Sequence, residues 1–169
     1  MGTIASNAVR LRELKDRVDR TFSTMPHGTE HHQACNEFYD NYDSLAFPGG
    51  LEVGLEQLAR FKPKVIETSI KLLEIDPRFF RSGYIKEKLL RRLKHCELTD
   101  DQRLRLESMI VRSMDCGGRR EFEGYSRLAR RMHSPAFVAA VMTRQLSSNC
   151  EVVRRAHAVM HILETNHLL

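Results

Sequence analysis

The sequence predicts an all-α protein of about eight or nine short helices, and three observations support this prediction. Apolar residues recur at steps of three and four along most of the chain, and N-cap residues or first-turn prolines precede several of these runs. No run alternates with the period of a β-strand. The 169 residues suit one domain, 1–169, arranged as a degenerate α-helical repeat or as an irregular orthogonal helical bundle.

The first predicted helix occupies residues 1–24 and is amphipathic. Its expected N-cap is Ser6 or Asn7. We expect this helix to lie at the periphery of a helical core formed by residues 25–169. Gly2 and Ser6 also match the N-myristoylation pattern, although so short a match is common by chance. The apolar stripe of the helix consists of Ile4, Ala8, Leu11, Leu14, Val18 and Phe22.

Proline and glycine divide the rest of the N-terminal half into three more helices. Thr29 can cap a second helix that runs to about Leu45, and Phe47–Gly50 is the strongest loop signal in the chain. A short helix follows this loop, and Pro63 begins the next one. The expected buried residues of these last two helices are Leu51, Leu55 and Leu58, then Ile66, Ile70 and Leu73.

The C-terminal half begins with a basic helix over about residues 83–95. Thr99 and Gln102 form a capping-box pattern that predicts the start of another helix, and Gly117–Gly118 is expected to end it. Apolar residues at helical spacing predict a further amphipathic helix over 122–132. Each of these helices carries a charged face, so each is expected to border solvent.

Residues 134–164 are predicted to form a hairpin of two helices. Ser134 and Pro135 supply the cap and first turn of the first helix, and Ser148 with Glu151 forms a capping-box pattern before the second. The first helix of the pair is apolar nearly all round. We therefore expect it to be the most buried helix of the chain.

This hairpin resembles a HEAT repeat. The resemblance is carried by Pro135 early in one helix, the polar turn Ser147–Asn149, and Val153, Arg154 and Ala156 at the start of the next helix. It covers about thirty residues, and the helix pairs upstream share its length and amphipathic pattern without a regular period. It implies a right-handed stack of helical hairpins that binds proteins on a curved surface, and it carries over no catalytic residue.

Charge is distributed unevenly along the chain, whose formal net charge is +5. Residues 21–59 contain no Lys or Arg and six acidic residues, whereas residues 78–155 contain eighteen Lys and Arg against nine Asp and Glu. Solvated helix faces explain such a surplus, and so does a surface that tracks phosphates. Binding of nucleic acid or another anionic partner is therefore an alternative function, with the candidate contacts Arg78, Arg81, Lys86, Lys88, Arg91, Arg92, Arg127, Arg130 and Arg131.

No metal site or cofactor is predicted. The weak metal candidates are His27, His31 and Cys35, which recur every four residues, and the pair His157 and His161. His27 precedes the expected start of its helix, so each set offers only two ligands on one helical face, which are too few for a zinc site. No nearby Asp, Cys or His completes either set in the sequence. Gly-rich phosphate loops and nucleophile motifs are absent from the sequence. A glycosylase-type enzyme of the HEAT-like class is a distant third function.

The first function predicted is a non-enzymatic protein-binding or adaptor domain with a protein partner of unknown identity. Homodimer formation is also compatible with the amphipathic first helix. No apolar run is long enough for a membrane span and no signal-peptide pattern is present, so we expect a cytoplasmic protein without integral membrane association. The four widely spaced cysteines agree, because they form no CxxC pair.

Overall fold

Helices make up the regular secondary structure of the computed structural model, which describes residues 3–116 and 121–166. These residues contain no β-strand, and the prediction of an all-α protein is confirmed. None of the helices in these ranges is both long and apolar enough to cross a membrane. The α-helices are α1 (Ile4–Thr24), α2 (Thr29–Ala46), α3 (Leu51–Ala59), α4 (Pro63–Ile75), α5 (Ser82–Leu93), α6 (Asp100–Asp115), α7 (Phe122–Leu128), α8 (Pro135–Gln145) and α9 (Cys150–Asn166).

The chain divides into two compact units, Met1–Ser82 and Gly83–Leu169, here called unit 1 and unit 2. Unit 1 is built on a long pairing of α1 with α2, and both α1 and α3 also contact α4. Leu11 of α1 is fully buried and Phe38 of α2 is nearly so, which places the apolar stripe of each helix in a shared core. α4 contributes further fully buried side chains to this core, of which Ile70 is one.

Unit 2 contains most of α5 and all of α6 to α9. α8 and α9 pack against each other along their lengths, and both also contact α6. Apolar residues at helical spacing are buried on both α6 and α9, whereas Val153 and Met160 of α9 are half-buried. The buried residues are Leu106, Met109, Ile110 and Met114 of α6 and Val152, Ala156, Val159 and Leu163 of α9. The fully buried core residues of unit 2 include Leu89, Leu93, Leu106, Ile110, Leu128, Val141 and Val159.

Several helix starts agree with the sequence prediction. Thr99 accepts a hydrogen bond from the Gln102 N–H at 3.3 Å while the Gln102 side chain accepts from the Thr99 N–H, which completes the capping box. Pro63 and Pro135 occupy the first turns of α4 and α8. These helix starts depend on capping side chains and prolines within a few residues, so the sequence alone predicts them.

Other local predictions are wrong. Thr3, and not Ser6 or Asn7, caps α1, because its hydroxyl accepts from the Ser6 N–H at 3.1 Å. The side chain of Asn149 takes the role expected of Ser148 at the start of α9 and accepts from the Glu151 N–H. In each case the cap lies one or more residues from the expected position, since neighbouring polar residues compete for the same donors.

Helix α7 is shorter than expected and gives way to a 3-10 turn over Ala129–Arg131. The backbone is extended at Met132, yet that side chain is buried. The apolar spacing therefore predicts the burial of Met132 correctly, although α7 ends before this residue. Gly2, which belongs to the lipidation pattern, lies outside the described residues. Gly117–Gly118, where the sequence predicts a helix end, also lies outside them.

Candidate functional site

The start of α8 is fixed by a buried carboxylate. Ser134 accepts a hydrogen bond from the Phe137 N–H at 3.1 Å and thereby caps the helix. Its own N–H and hydroxyl donate to the two carboxylate oxygens of Glu107, a residue of α6 that is 6% exposed, at 3.1 and 2.5 Å. These charge-assisted bonds anchor α8 against α6.

The outer side of α8 is apolar and exposed. Only Phe137 and Val141 of this helix are buried, whereas Met142 is 55% exposed and Leu146, at the C-cap, is 88% exposed. The prediction that α8 is the most buried helix is therefore wrong. We define the α8 face by its exposed residues at helical spacing, which are Ala136, Ala139, Met142, Thr143 and Leu146.

The polar groups at the C-terminal end of α8 have partners within the chain. Arg144, the one charged residue of α8, donates to both carboxylate oxygens of Asp115, with Nε–Oδ1 at 3.0 Å and Nη2–Oδ2 at 2.8 Å. The side-chain amide of Gln145 lies 3.1 Å from Nδ1 of His157 on α9. The α8 face itself therefore carries no charge and is bordered by polar groups, as in the centre and rim of a protein interface.

Two of the predicted anion-binding residues have structural roles instead. Lys86 is 2% exposed, and its ammonium lies 3.7 Å from the carboxylate of Glu121, which is also buried. The prediction that Lys86 faces a ligand is wrong. Arg131 donates from Nη1 to the carbonyls of Lys94 and Cys96, at 2.9 and 2.7 Å, and so satisfies carbonyl groups just after α5. Burial raises the pKa of the Cys96 thiol, and the charge of Arg131 opposes that rise.

Arg91 and Arg127 line one small depression of unit 2, together with Lys94. Each arginine is paired with a glutamate of its own helix, Arg91 with Glu87 at 3.1 Å and Arg127 with Glu123 at 2.5 Å. The two carboxylates cancel most of the positive charge of this depression. It is therefore a weak attractor for a phosphate backbone.

The remaining predicted cations lie at the surface. Lys88 and Arg130 are exposed and Arg92 is half-buried, all three in unit 2. Arg78 and Arg81 belong to unit 1, where both are exposed. Seven of the nine candidates therefore lie in unit 2 and two in unit 1, and their side chains range from buried to exposed.

The weak metal candidates lie just before α2, within α2 and within α9. His31 Nε2 lies 3.5 Å from Cys35 Sγ, but its Nδ1 is engaged with the Thr21 hydroxyl at 3.1 Å. Of the other candidates, His27 and His161 are exposed, and His157 contacts Gln145. Among the described residues no three His, Cys, Asp or Glu side chains gather as metal ligands would.

Comparison with known proteins gives no family assignment for this chain. No protein-family model, curated protein or solved structure matches it. The α8 face is the candidate site that the sequence pattern missed, because a helix that is apolar all round normally indicates burial. One signal was available: Leu146 stands beside the polar turn Ser147–Asn149, where a core position is unusual.

Proposed function

We propose that this chain is a non-enzymatic protein-binding domain whose partner docks on the α8 face. The observation that carries the proposal is the exposure of Met142 and Leu146 on an uncharged helix face. Exposed apolar residues that share one face and have a polar border are a mark of protein interfaces. We further propose that the α8–α9 hairpin is HEAT-like, since its Pro135 start and polar turn agree with that resemblance.

The energetics favour an apolar partner. Full burial of a Leu or Met side chain contributes about 1.5 to 3 kcal/mol, so two such residues provide a useful part of a binding free energy. The small residues Ala136 and Ala139 allow a second backbone to approach α8 closely. The expected occupant is therefore an amphipathic helix of another polypeptide, laid along α8 with its apolar side inward.

Nucleic-acid binding through the basic half receives less support. Such binding requires five cations to converge on one concave surface, namely Lys86, Arg91, Arg92, Arg127 and Arg131. One of them is buried, one binds backbone carbonyls and two are paired with glutamates. A glycosylase-type function gains no support from the described residues, because none of their carboxylates can be assigned a catalytic role.

The proposal is tested with the double variant Met142→Gln and Leu146→Gln. Tagged wild-type chain and variant are used to capture proteins from the native cell extract, and the matched control is Leu104→Gln on α6, which is 55% exposed outside the α8 face. We expect at least one protein that the wild type and the control retain and the double variant loses. Identical capture by all three chains contradicts the proposal. Sedimentation of the purified chain separately reveals whether a second copy of it occupies the face.

A further inference from the structure

A short loop of unit 1 presents a basic and aromatic surface. The loop covers residues 78–81, between α4 and α5, and within it Arg78 and Arg81 are exposed and Phe80 is 39% exposed. Tyr39 of α2, which is 71% exposed, lies on the same aromatic cluster. The rings of Tyr39 and Phe80 each contact Phe38, with centroids at 5.5 and 5.8 Å.

Hydrogen bonds hold this loop in place from three directions. The Arg12 guanidinium of α1 donates to the carbonyl of Arg78 at 3.1 Å, and the Tyr42 hydroxyl of α2 donates to the carbonyl of Phe80 at 2.9 Å. The Phe79 N–H donates to the hydroxyl of Ser82 at 3.3 Å. Because backbone atoms accept or donate in all three bonds, the exposed side chains of the loop are free of this anchoring role.

Cations lie close to the exposed ring of Phe80. Arg81 Cζ is 5.2 Å from its centroid and Lys15 Nζ is 5.3 Å from it, both within the range of a cation–π contact. Lys15 also pairs with Asp19 at 2.5 Å. Because this carboxylate offsets its charge, Lys15 should attract an anion less strongly than Arg78 or Arg81 does. The pKa of Tyr42 is raised by burial and lowered in part by the charge of Arg81, which is consistent with a guanidinium held near this cluster.

The backbone of Arg81 has a left-handed conformation. Its φ of 61° costs a non-glycine residue about 1 kcal/mol. Phe61 and Asp76 also have positive φ, so this conformation does not by itself mark a binding site. It shows that the loop has a defined geometry at Arg81.

We propose that this surface, which we call the Phe80 platform (Lys15, Tyr39, Arg78, Phe80 and Arg81), binds single-stranded nucleic acid. Bases would stack on the exposed aromatic rings and on the Arg81 guanidinium, and phosphates would contact Arg78 and Arg81. Exposed rings beside cations in a preorganised loop fit a ligand with both planar and anionic parts. A duplex offers its bases poorly, and an acidic peptide such as polyglutamate offers no aromatic rings for stacking, so both should bind less well.

The test measures fluorescence anisotropy of a labelled oligothymidylate of about 15 nucleotides at about 50 mM and about 200 mM salt. The first variant combines Arg78→Ala with Arg81→Gly, which removes both guanidiniums, keeps the Arg78 carbonyl and relieves the positive φ at position 81. Its matched control combines Arg60→Ala with Phe61→Gly in the α3–α4 loop, where Phe61 is 52% exposed and also has a positive φ of 56°. A separate variant, Phe80→Leu, keeps an apolar side chain against Phe38 and removes the aromatic ring.

We expect the wild type to bind the oligonucleotide at the lower salt and to bind about sevenfold more weakly at the higher salt, as two phosphate contacts predict. The Arg78 and Arg81 double variant should weaken binding about tenfold, and Phe80→Leu about fivefold or more, while the Arg60 and Phe61 control stays within about twofold of wild type. Thermal unfolding checks that each variant is folded.

Three results would overturn the inference. They are no binding by the wild type at low salt, equal losses in the platform variant and its control, and competition by polyglutamate or duplex DNA as strong as that by the oligonucleotide. Capture of a protein through the α8 face is unaffected by any of these results, because the two surfaces share no residue.

Discussion

Replacing Arg131 distinguishes a structural cation from a ligand-binding one. Arg131→Ala removes the two hydrogen bonds that Nη1 donates to the carbonyls of Lys94 and Cys96. A hydrogen bond to a charged group contributes about 1.5 to 3 kcal/mol net, and water can partly replace the guanidinium at these part-buried carbonyls. We therefore expect the free energy of unfolding to fall by about 2 to 3 kcal/mol. With an m-value of about 2 kcal/mol/M, the urea midpoint falls by about 1 to 1.5 M.

The control is Arg127→Ala, because Arg127 is exposed and pairs at the surface with Glu123 of its own helix. A pair of this kind contributes about 0.3 to 0.5 kcal/mol, so the midpoint should hardly move. Arg131→Lys should give an intermediate loss, since an ammonium lacks the planar fork of a guanidinium. Equal stability losses for Arg131→Ala and Arg127→Ala would refute the structural role of Arg131.

Two further predictions concern packing and thiol chemistry. Gly54→Ala places a Cβ 2.5 Å from ring atoms of Phe47, a side chain that is 1% exposed. Calorimetry should therefore show a free energy of unfolding lower by about 1 to 3 kcal/mol. The control is Val53→Ala on the exposed side of α3, which should change this free energy by less than about 0.5 kcal/mol. Cys150 is exposed, whereas Cys96 is fully buried with a raised pKa, so a disulfide reagent at neutral pH should label Cys150 first and Cys96 only on unfolding. Labelling of Cys96 in the folded chain at the rate of Cys150 would contradict its burial.

The local chemistry of the sequence was enough to predict much of the fold. The Thr99 capping box and the first-turn prolines of α4 and α8 lie where their side chains require them. On α9, Val152, Ala156, Val159 and Leu163 recur at helical spacing and are buried. These features depend on residues within a few positions of each other, which a sequence pattern records directly.

The surfaces were harder to predict because they depend on contacts between distant residues. Lys86 belongs to a basic run but is paired with Glu121, thirty-five positions away, and Arg131 binds carbonyls at positions 94 and 96. Leu146 continues an apolar pattern yet is 88% exposed, because α8 turns only Phe137 and Val141 inward. The charge or hydrophobicity of a residue does not show which distant residue it contacts. A sequence pattern therefore fails to predict the exposure of side chains whose contacts come from another helix.

The most direct test of the α8 face is the dissociation constant of a captured partner, measured for the wild type and for the Met142→Gln, Leu146→Gln variant beside their free energies of unfolding. Because both residues are more than half exposed in the free chain, we expect the free energy of unfolding to change by less than about 0.5 kcal/mol. Loss of two apolar contacts should weaken binding at least about tenfold. Equal affinities for the two chains would show that the α8 face does not bind the partner. A large fall in the free energy of unfolding of the variant would show that the α8 face serves the fold.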